Sequence, residues 1–281
     1  MKKLSIAMLS MVLAGSMLLS ACGGNTQQTT DETTDDAAQT EQTTDGGTLV
    51  MGTNAAFPPY EFVDENNEVA GIDADIAGAI AEKLGMTLEI KDMAFDSLIP
   101  ALSGGTVDIV LAGMTVTPDR EQNVDFTDSY ATGIQVVIVP EDSDIAPVEQ
   151  EDGTMAVDLT GKTIGVQSGT TGDIYCTGDY GQENVKQYDN GALAVAALVN
   201  GQIDCVVIDN EPAKNFVAAN SGLKILDTEY ITEDYAAAIA KGNTELYDQV
   251  NTAIQELKDD GTIASIIEKY IPAEGSEDAA A

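Results

Sequence analysis

Two stretches of the chain align without a gap: residues 101–110 read Ala-Leu-Ser-Gly-Gly-Thr-Val-Asp-Ile-Val, and residues 197–206 read Ala-Leu-Val-Asn-Gly-Gln-Ile-Asp-Cys-Val. Each reads as a helix end, a glycine able to take the left-handed conformation, a turn and a strand. A single such match could arise between two ordinary helix-to-strand loops, but the flanking texture repeats as well. In the first half, residues 49–52 form a short apolar strand, and Ile76, Ile80, Ala81 and Leu84 recur at helical spacing until Gly85. Residues 86–90 then read as a strand, 98–102 as a short helix and 107–112 as a strand of buried type. In the second half the succession is strand 162–167, a helix opening at 171–176, strand 185–188, helix 191–199 and strand 203–208. Such alternation predicts parallel α/β sheets in two lobes. Ligands of such folds bind between domains, at loops that follow the strands.

Ahead of this region lies an address. Lys2 and Lys3 precede an apolar run over residues 4–19, the layout of a secretory signal, and the run is too short and too rich in Ser and Gly for a permanent span. It ends in Leu19-Ser20-Ala21-Cys22 followed by Gly23 and Gly24, which resembles a bacterial lipobox. By that resemblance residues 1–21 are a signal peptide and Cys22 becomes a lipidated N-terminus; cleavage without lipid is the alternative. Residues 22–47 are almost free of apolar side chains and carry several acids, as expected of an extended tether. The tail 272–281 is similarly polar or small.

Composition removes whole classes of function. Twelve Lys and Arg face 48 Asp and Glu, a formal charge of −36, which argues against binding nucleic acid or an anionic membrane surface. The chain has no His, so Ser-His-Asp and Cys-His catalysis and His-ligated metal sites are excluded. No metal motif and no cofactor fingerprint is present. Gly161-Lys162-Thr163 resembles the end of a phosphate loop, but Ala156 stands where the earlier glycine is needed. Cys176 and Cys205 could form a disulfide after export or remain two buried thiols.

The residues after the strands carry the chemistry. After the first strand, Asn54, Phe57, Pro58, Pro59, Tyr60 and Glu61 follow, and the two prolines are expected to hold the segment extended. Phe57 and Tyr60 then either line a ligand rim or pack into a buried loop, and Phe95 follows the next strand. After residues 107–112 come Gly113, Met114, Thr115 and Arg120, the chain's one arginine. A guanidinium holds a carboxylate through two parallel bonds; the alternative is a surface charge paired with Asp119 or Glu121. Gln167, Ser168, Gly169, Thr170 and Thr171 form a small-residue junction before a helix, whose free N–H groups suit an anion. Strand 203–208 delivers Asp209, either a helix cap or a cleft carboxylate. Arg120 with helix-end amides, opposed by Asp209, is complementary to a zwitterion.

At this point the chain resembles the extracellular solute-binding proteins of polar amino acid ABC importers, solute-binding family 3. The matching stretches are 52–62, Gly71-Ile72-Asp73-Ala74-Asp75-Ile76, 95–102, 113–120, 124–127, 165–171, 204–209 and 260–270, in family order across nearly all of residues 48–271. The resemblance implies a two-lobed fold of the type II periplasmic-binding-protein kind with two hinge crossovers, near 132–136 and 232–238. Lobe one would comprise 48–133 and 238–271, and lobe two 136–232. It implies that Arg120, with Thr115 and Thr170 or Thr171, holds the ligand carboxylate. The Gly113 carbonyl and Asp209 would hold the ammonium, and Phe57, Tyr60 and Phe95 would pack the side chain. Ala112-Gly113 stands where some relatives have two serines, Asn54 replaces an acid used by some binders of basic residues, and Gln167 lies where certain glutamine binders have Lys. Glu61 could supply the missing negative charge, so arginine or lysine is favoured over glutamine, with cystine and histidine open. The expected protein is a monomeric, non-enzymatic importer component, lipid-anchored outside the cell membrane through Cys22, which delivers its ligand to a permease and ATPase. A dehydratase on the same fold, with Asp209 or Glu61 as general base, and an anchored sensor are the competing classes.

Overall fold

The computed structural model describes residues 46–149, 155–228 and 230–272. The signal peptide, Cys22, nearly all of the tether and the tail beyond Pro272 lie outside the described residues.

Two open sheets organise the chain. The first has the strand order Thr87–Asp92, Thr48–Thr53, Ile109–Val110, Ala238–Ala240, Val124–Phe126. The second runs Val185–Tyr188, Ile164–Gln167, Cys205–Asp209, Ala131–Pro140, Leu223–Ile225, with Ile231–Tyr235 also paired to Ala131–Pro140. The repeated α/β texture is therefore one sheet per lobe. The strand 107–112 expected from its apolar run shortens to Ile109–Val110; Val107 packs into the core before it, and Ala112 and Gly113 after it line the cavity.

The sheets are mixed, not purely parallel as the alternation predicts. Thr48–Thr53 pairs in parallel with both neighbours, as does Ile164–Gln167. However, Ala238–Ala240 runs antiparallel to both of its partners, and Ala131–Pro140 runs antiparallel to all of its own. The reason is connectivity: a chain that leaves one lobe and later returns must send two segments in opposite directions across the same boundary.

Those segments, Ala131–Pro140 and Ile231–Tyr235, pair with each other, setting Thr132 opposite Asp234, Gly133 opposite Glu233 and Gln135 opposite Ile231. Gly133 matters sterically: a Cβ there would overlap the Tyr235 hydroxyl and lie 2.8 Å from Asp209 Oδ1. Gly133→Ala is expected to destabilise the protein by about 1–3 kcal/mol through overpacking. A chemical-denaturation midpoint unchanged from wild type would contradict this.

Helices cover both sheets with apolar faces. Ile72–Lys83 buries Ile72, Ile76, Ala77, Ile80 and Ala81 and packs against Thr244–Asp259 and Thr262–Tyr270. In the other lobe, Gly191–Val199 buries Ala194, Val195, Ala197 and Leu198, and the Asn190 side chain accepts from Leu193 N–H to cap it. Cys176 and Cys205 are free thiols in the core formed with Val137, Ile164 and Val166. Burial pushes the Cys176 thiol up to about 12 and raises that of Cys205 as well.

Candidate functional site

The loops after the strands converge on one cavity. Asn54, Phe57, Glu61, Phe95, Gly113, Thr115 and Arg120 line it from the first lobe, and Gln167, Thr170, Thr171 and Asp209 from the second; Ala112 completes it. Two candidates lie elsewhere. Met114 is buried in the core beneath, with Leu98, Leu102 and Val107. Tyr60 is turned inward, stacked on Phe57 at 5.8 Å and edge-on to Tyr235 at 5.2 Å. The physical reason is the turn. Pro58 and Pro59 do not extend the chain but reverse it, with Tyr60 N–H donating to Phe57 O and Phe57 paired opposite Glu61, which leaves Phe57 at the cavity and sends Tyr60 into the core.

Arg120 opens a short 3-10 turn, Arg120–Gln122, and is only 7% exposed. It pairs with neither Asp119 nor Glu121. Its Nη1 donates to Thr115 O at 2.8 Å and its Nη2 to Gly169 O of the second lobe at 3.2 Å, while the guanidinium lies 5.3 Å from the centre of the Phe95 ring. Burial pulls its basicity down, opposed chiefly by Glu233, yet a guanidinium stays charged throughout the physiological range. Other bonds join the lobes. Gln167 Nε2 donates to Asn54 Oδ1 at 2.9 Å, and Asn54 Nδ2 in turn donates to Met93 O at 2.8 Å. Ser168 Oγ donates to Asp96 Oδ2 at 3.4 Å.

At the helix junction, Thr170 takes the cap position of Thr171–Tyr180. Its hydroxyl donates to Gln167 O at 2.8 Å and accepts from Asp173 N–H at 3.4 Å. Asp209 also occupies a cap position, before Asn210–Ala219, but its side chain makes no capping bond. Instead Oδ2 accepts from Gln135 Nε2 at 2.8 Å and Oδ1 from the Tyr235 hydroxyl. Burial, then the neighbouring Glu233, pushes the Asp209 carboxyl up to about 7.

A second pair of acids sits at Glu61. Glu61 is buried against Asp73, whose Oδ2 accepts from Gly113 N–H at 2.7 Å and from the Tyr130 hydroxyl at 2.9 Å. Burial and Asp73 hold the Glu61 carboxyl well above its ordinary range, and burial raises Asp73 to about 6. Glu61 Oε2 and Asp73 Oδ1 are buried with no hydrogen-bond partner among the described residues, so the two acids face each other without a cation to neutralise them.

Sequence reasoning missed four members of this constellation: Tyr130, Gln135, Glu233 and Tyr235. A signal existed for Gln135, the one amide inside the apolar strand Gly133 to Val139. Nothing in the local pattern of residues 231–235 marked Glu233.

Two lobes joined by paired crossing segments, with a cavity lined by residues of both at their junction, define a protein that takes a small solute between its halves. The chain belongs to the bacterial extracellular solute-binding proteins, family 3, whose family model matches residues 49–273. It is 33% identical over 227 residues to ABC transporter arginine-binding protein 1 of Escherichia coli (strain K12), covering 79% of this chain and 90% of that one. Among solved structures, an ancestral arginine-binding protein bound to glutamine matches with a TM-score of 0.74 at 42% identity, covering 81% of this chain and 99% of that one. The arginine-, lysine-, histidine-binding protein ArtJ from Geobacillus stearothermophilus matches with a TM-score of 0.72 at 31% identity, over 82% of this chain and 97% of that one.

Proposed function

We propose that this protein is the solute-capturing component of an amino acid ABC importer and that its ligand is an L-amino acid with a cationic side chain, arginine foremost. The observation that carries this reading is the placement of Arg120 and Asp209 in one cavity, from opposite lobes, with the Glu61–Asp73 pair against the same cavity. Arg120 receives the ligand carboxylate, aided by Thr115, Thr170 and Thr171; Asp209 and the Gly113 carbonyl receive the ammonium. Phe57 and Phe95 sandwich the aliphatic stem. Glu61 reads the far end: an arriving guanidinium supplies the positive partner that the buried Glu61 and Asp73 lack, since a buried carboxylate is stabilised by a positive partner at contact distance. An amide side chain gains much less there. The arginine-binding names of the relatives support this assignment.

Capture proceeds by lobe closure. Only in the closed state do Arg120 and Asp209 both reach one ligand, so the ligand's differential affinity draws the lobes together. Lobe one comprises 48–133 and 238–271 and lobe two 136–232, with lipid on Cys22 holding the protein outside the cell membrane beside its permease. A thermal-shift panel of the twenty amino acids tests the assignment, because a selective ligand stabilises only the form that binds it. L-Arginine is expected to give the largest rise in melting temperature, with L-lysine next. A panel in which L-glutamine exceeds both would move the ligand class from cation to amide.

A further inference from the structure

Asp209 stands at a helix start, yet the hinge holds its carboxylate. Gln135, from Ala131–Pro140, places one amide nitrogen between two acids, donating to Asp209 Oδ2 at 2.8 Å and to Glu233 Oε2 at 2.9 Å. Glu233 and Tyr235 come from the opposing segment Ile231–Tyr235, and the Tyr235 hydroxyl takes the remaining Asp209 oxygen. All four side chains are buried. Such a network serves no capping role, and it sets a second carboxyl beside the first with a single amide between them. Glu233 Oε1 and Gln135 Oε1 are buried with no hydrogen-bond partner among the described residues.

The charged and titratable groups around this pair come from every adjoining element. Arg120 of the first lobe attracts both acids. Tyr175 faces Glu233 from the helix Thr171–Tyr180. Tyr60 and Glu61 face Asp209 from the proline turn. Two buried acids thus face one guanidinium, and an incoming ammonium supplies the second positive charge.

We propose that Gln135 and Glu233 are positioning residues for Asp209, so that the acceptor of the ligand's ammonium is oriented by the two crossing strands themselves. This rests on the zwitterion reading of the cleft and adds to it how the hinge takes part: Gln135 aims the carboxylate, and Glu233 both fixes the amide of Gln135 and tunes the charge of Asp209. Ligand charge is thereby felt on both strands that must flex when the lobes move.

The test is calorimetry of the full chain with L-arginine between pH 5.5 and 8.5, paired with melting curves of the ligand-free protein over the same range. Gln135→Leu removes the bond to a charged acceptor and is expected to weaken binding about ten- to hundredfold at pH 8. Glu233→Gln keeps the shape and an acceptor for the Gln135 amide while removing the charge. It should move the acid-side loss of affinity to lower pH by about one unit, because a like charge beside Asp209 is gone. In ligand-free protein the same substitution should flatten the fall of melting temperature with rising pH, an outcome that needs no ligand. A Glu233→Gln profile that superimposes on wild type in both measurements, or a loss of affinity equal at every pH, overturns the positioning role. Asp209→Asn binding L-arginine as tightly as wild type would instead overturn the zwitterion reading.

Discussion

Arg120→Ala is expected to weaken amino acid binding by roughly a hundred- to a thousandfold or more, because removing one partner of a buried ion pair costs about 3–5 kcal/mol, and each 1.4 kcal/mol is tenfold. The size follows from burial. At 7% exposure water cannot replace the guanidinium, so the ligand carboxylate would be left in a cavity whose other ionisable neighbours are mostly acids. The same change frees Thr115 O and Gly169 O of their donors and uncovers the Phe95 ring. Arg120→Lys separates charge from geometry: it restores a cation but not the planar fork, and should recover only part of the loss. Calorimetry is the measurement, and an Arg120→Ala affinity within threefold of wild type would remove the carboxylate from this residue.

The second large effect is on pH dependence. Asp209 sits near neutrality, pushed up to about 7 by burial and then by Glu233, and a protonated carboxyl no longer offers an anion to an ammonium. Affinity should therefore fall roughly tenfold per pH unit below 7, about a hundredfold between pH 7 and pH 5. Asp73, raised to about 6, and Glu61, raised further, act in the same direction for a cationic side chain. Asp209→Asn should abolish the Asp209 share of the slope, at the cost of a weaker ammonium site.

Stability of the ligand-free protein runs the opposite way. A carboxyl whose folded value lies above its unfolded one contributes stability that is fully present below the unfolded value, near 3.8, and lost as pH rises through about 7. The rise in melting temperature produced by ligand should thus grow from pH 5 to pH 8. A ligand-induced shift that is flat across that window would show that Asp209 does not meet the ammonium.

Much of the fold was legible because it depends on short-range rules. The helix Gly191–Val199 and the strand Val185–Tyr188 lie where the apolar periodicity set them. Helix Ile72–Lys83 likewise stops just before Gly85, whose φ of +65 suits glycine. The antiparallel members were not legible, since Ala238–Ala240 and Ala131–Pro140 read locally like any buried strand and their direction is decided by partners far away in sequence. The site divides in the same manner. Arg120 was conspicuous as the one guanidinium among 48 acids, and Asp209 by its place after a strand. The inward turn of Tyr60 was hidden, because two prolines restrict backbone angles without saying whether the chain continues or reverses.

By itself, then, the order of residues determined the kinds of element, their succession in two α/β halves and the chemical groups available to a ligand, because propensity, periodicity and side-chain chemistry act over a few positions. Tertiary structure alone decided that Glu61 is buried beside Asp73, that Gln135 bridges Asp209 and Glu233, and that Arg120 reaches across to Gly169. Those pairings join residues 12 to 98 positions apart, and the low-dielectric burial that shifts their acids exists only once the folded chain has packed around them.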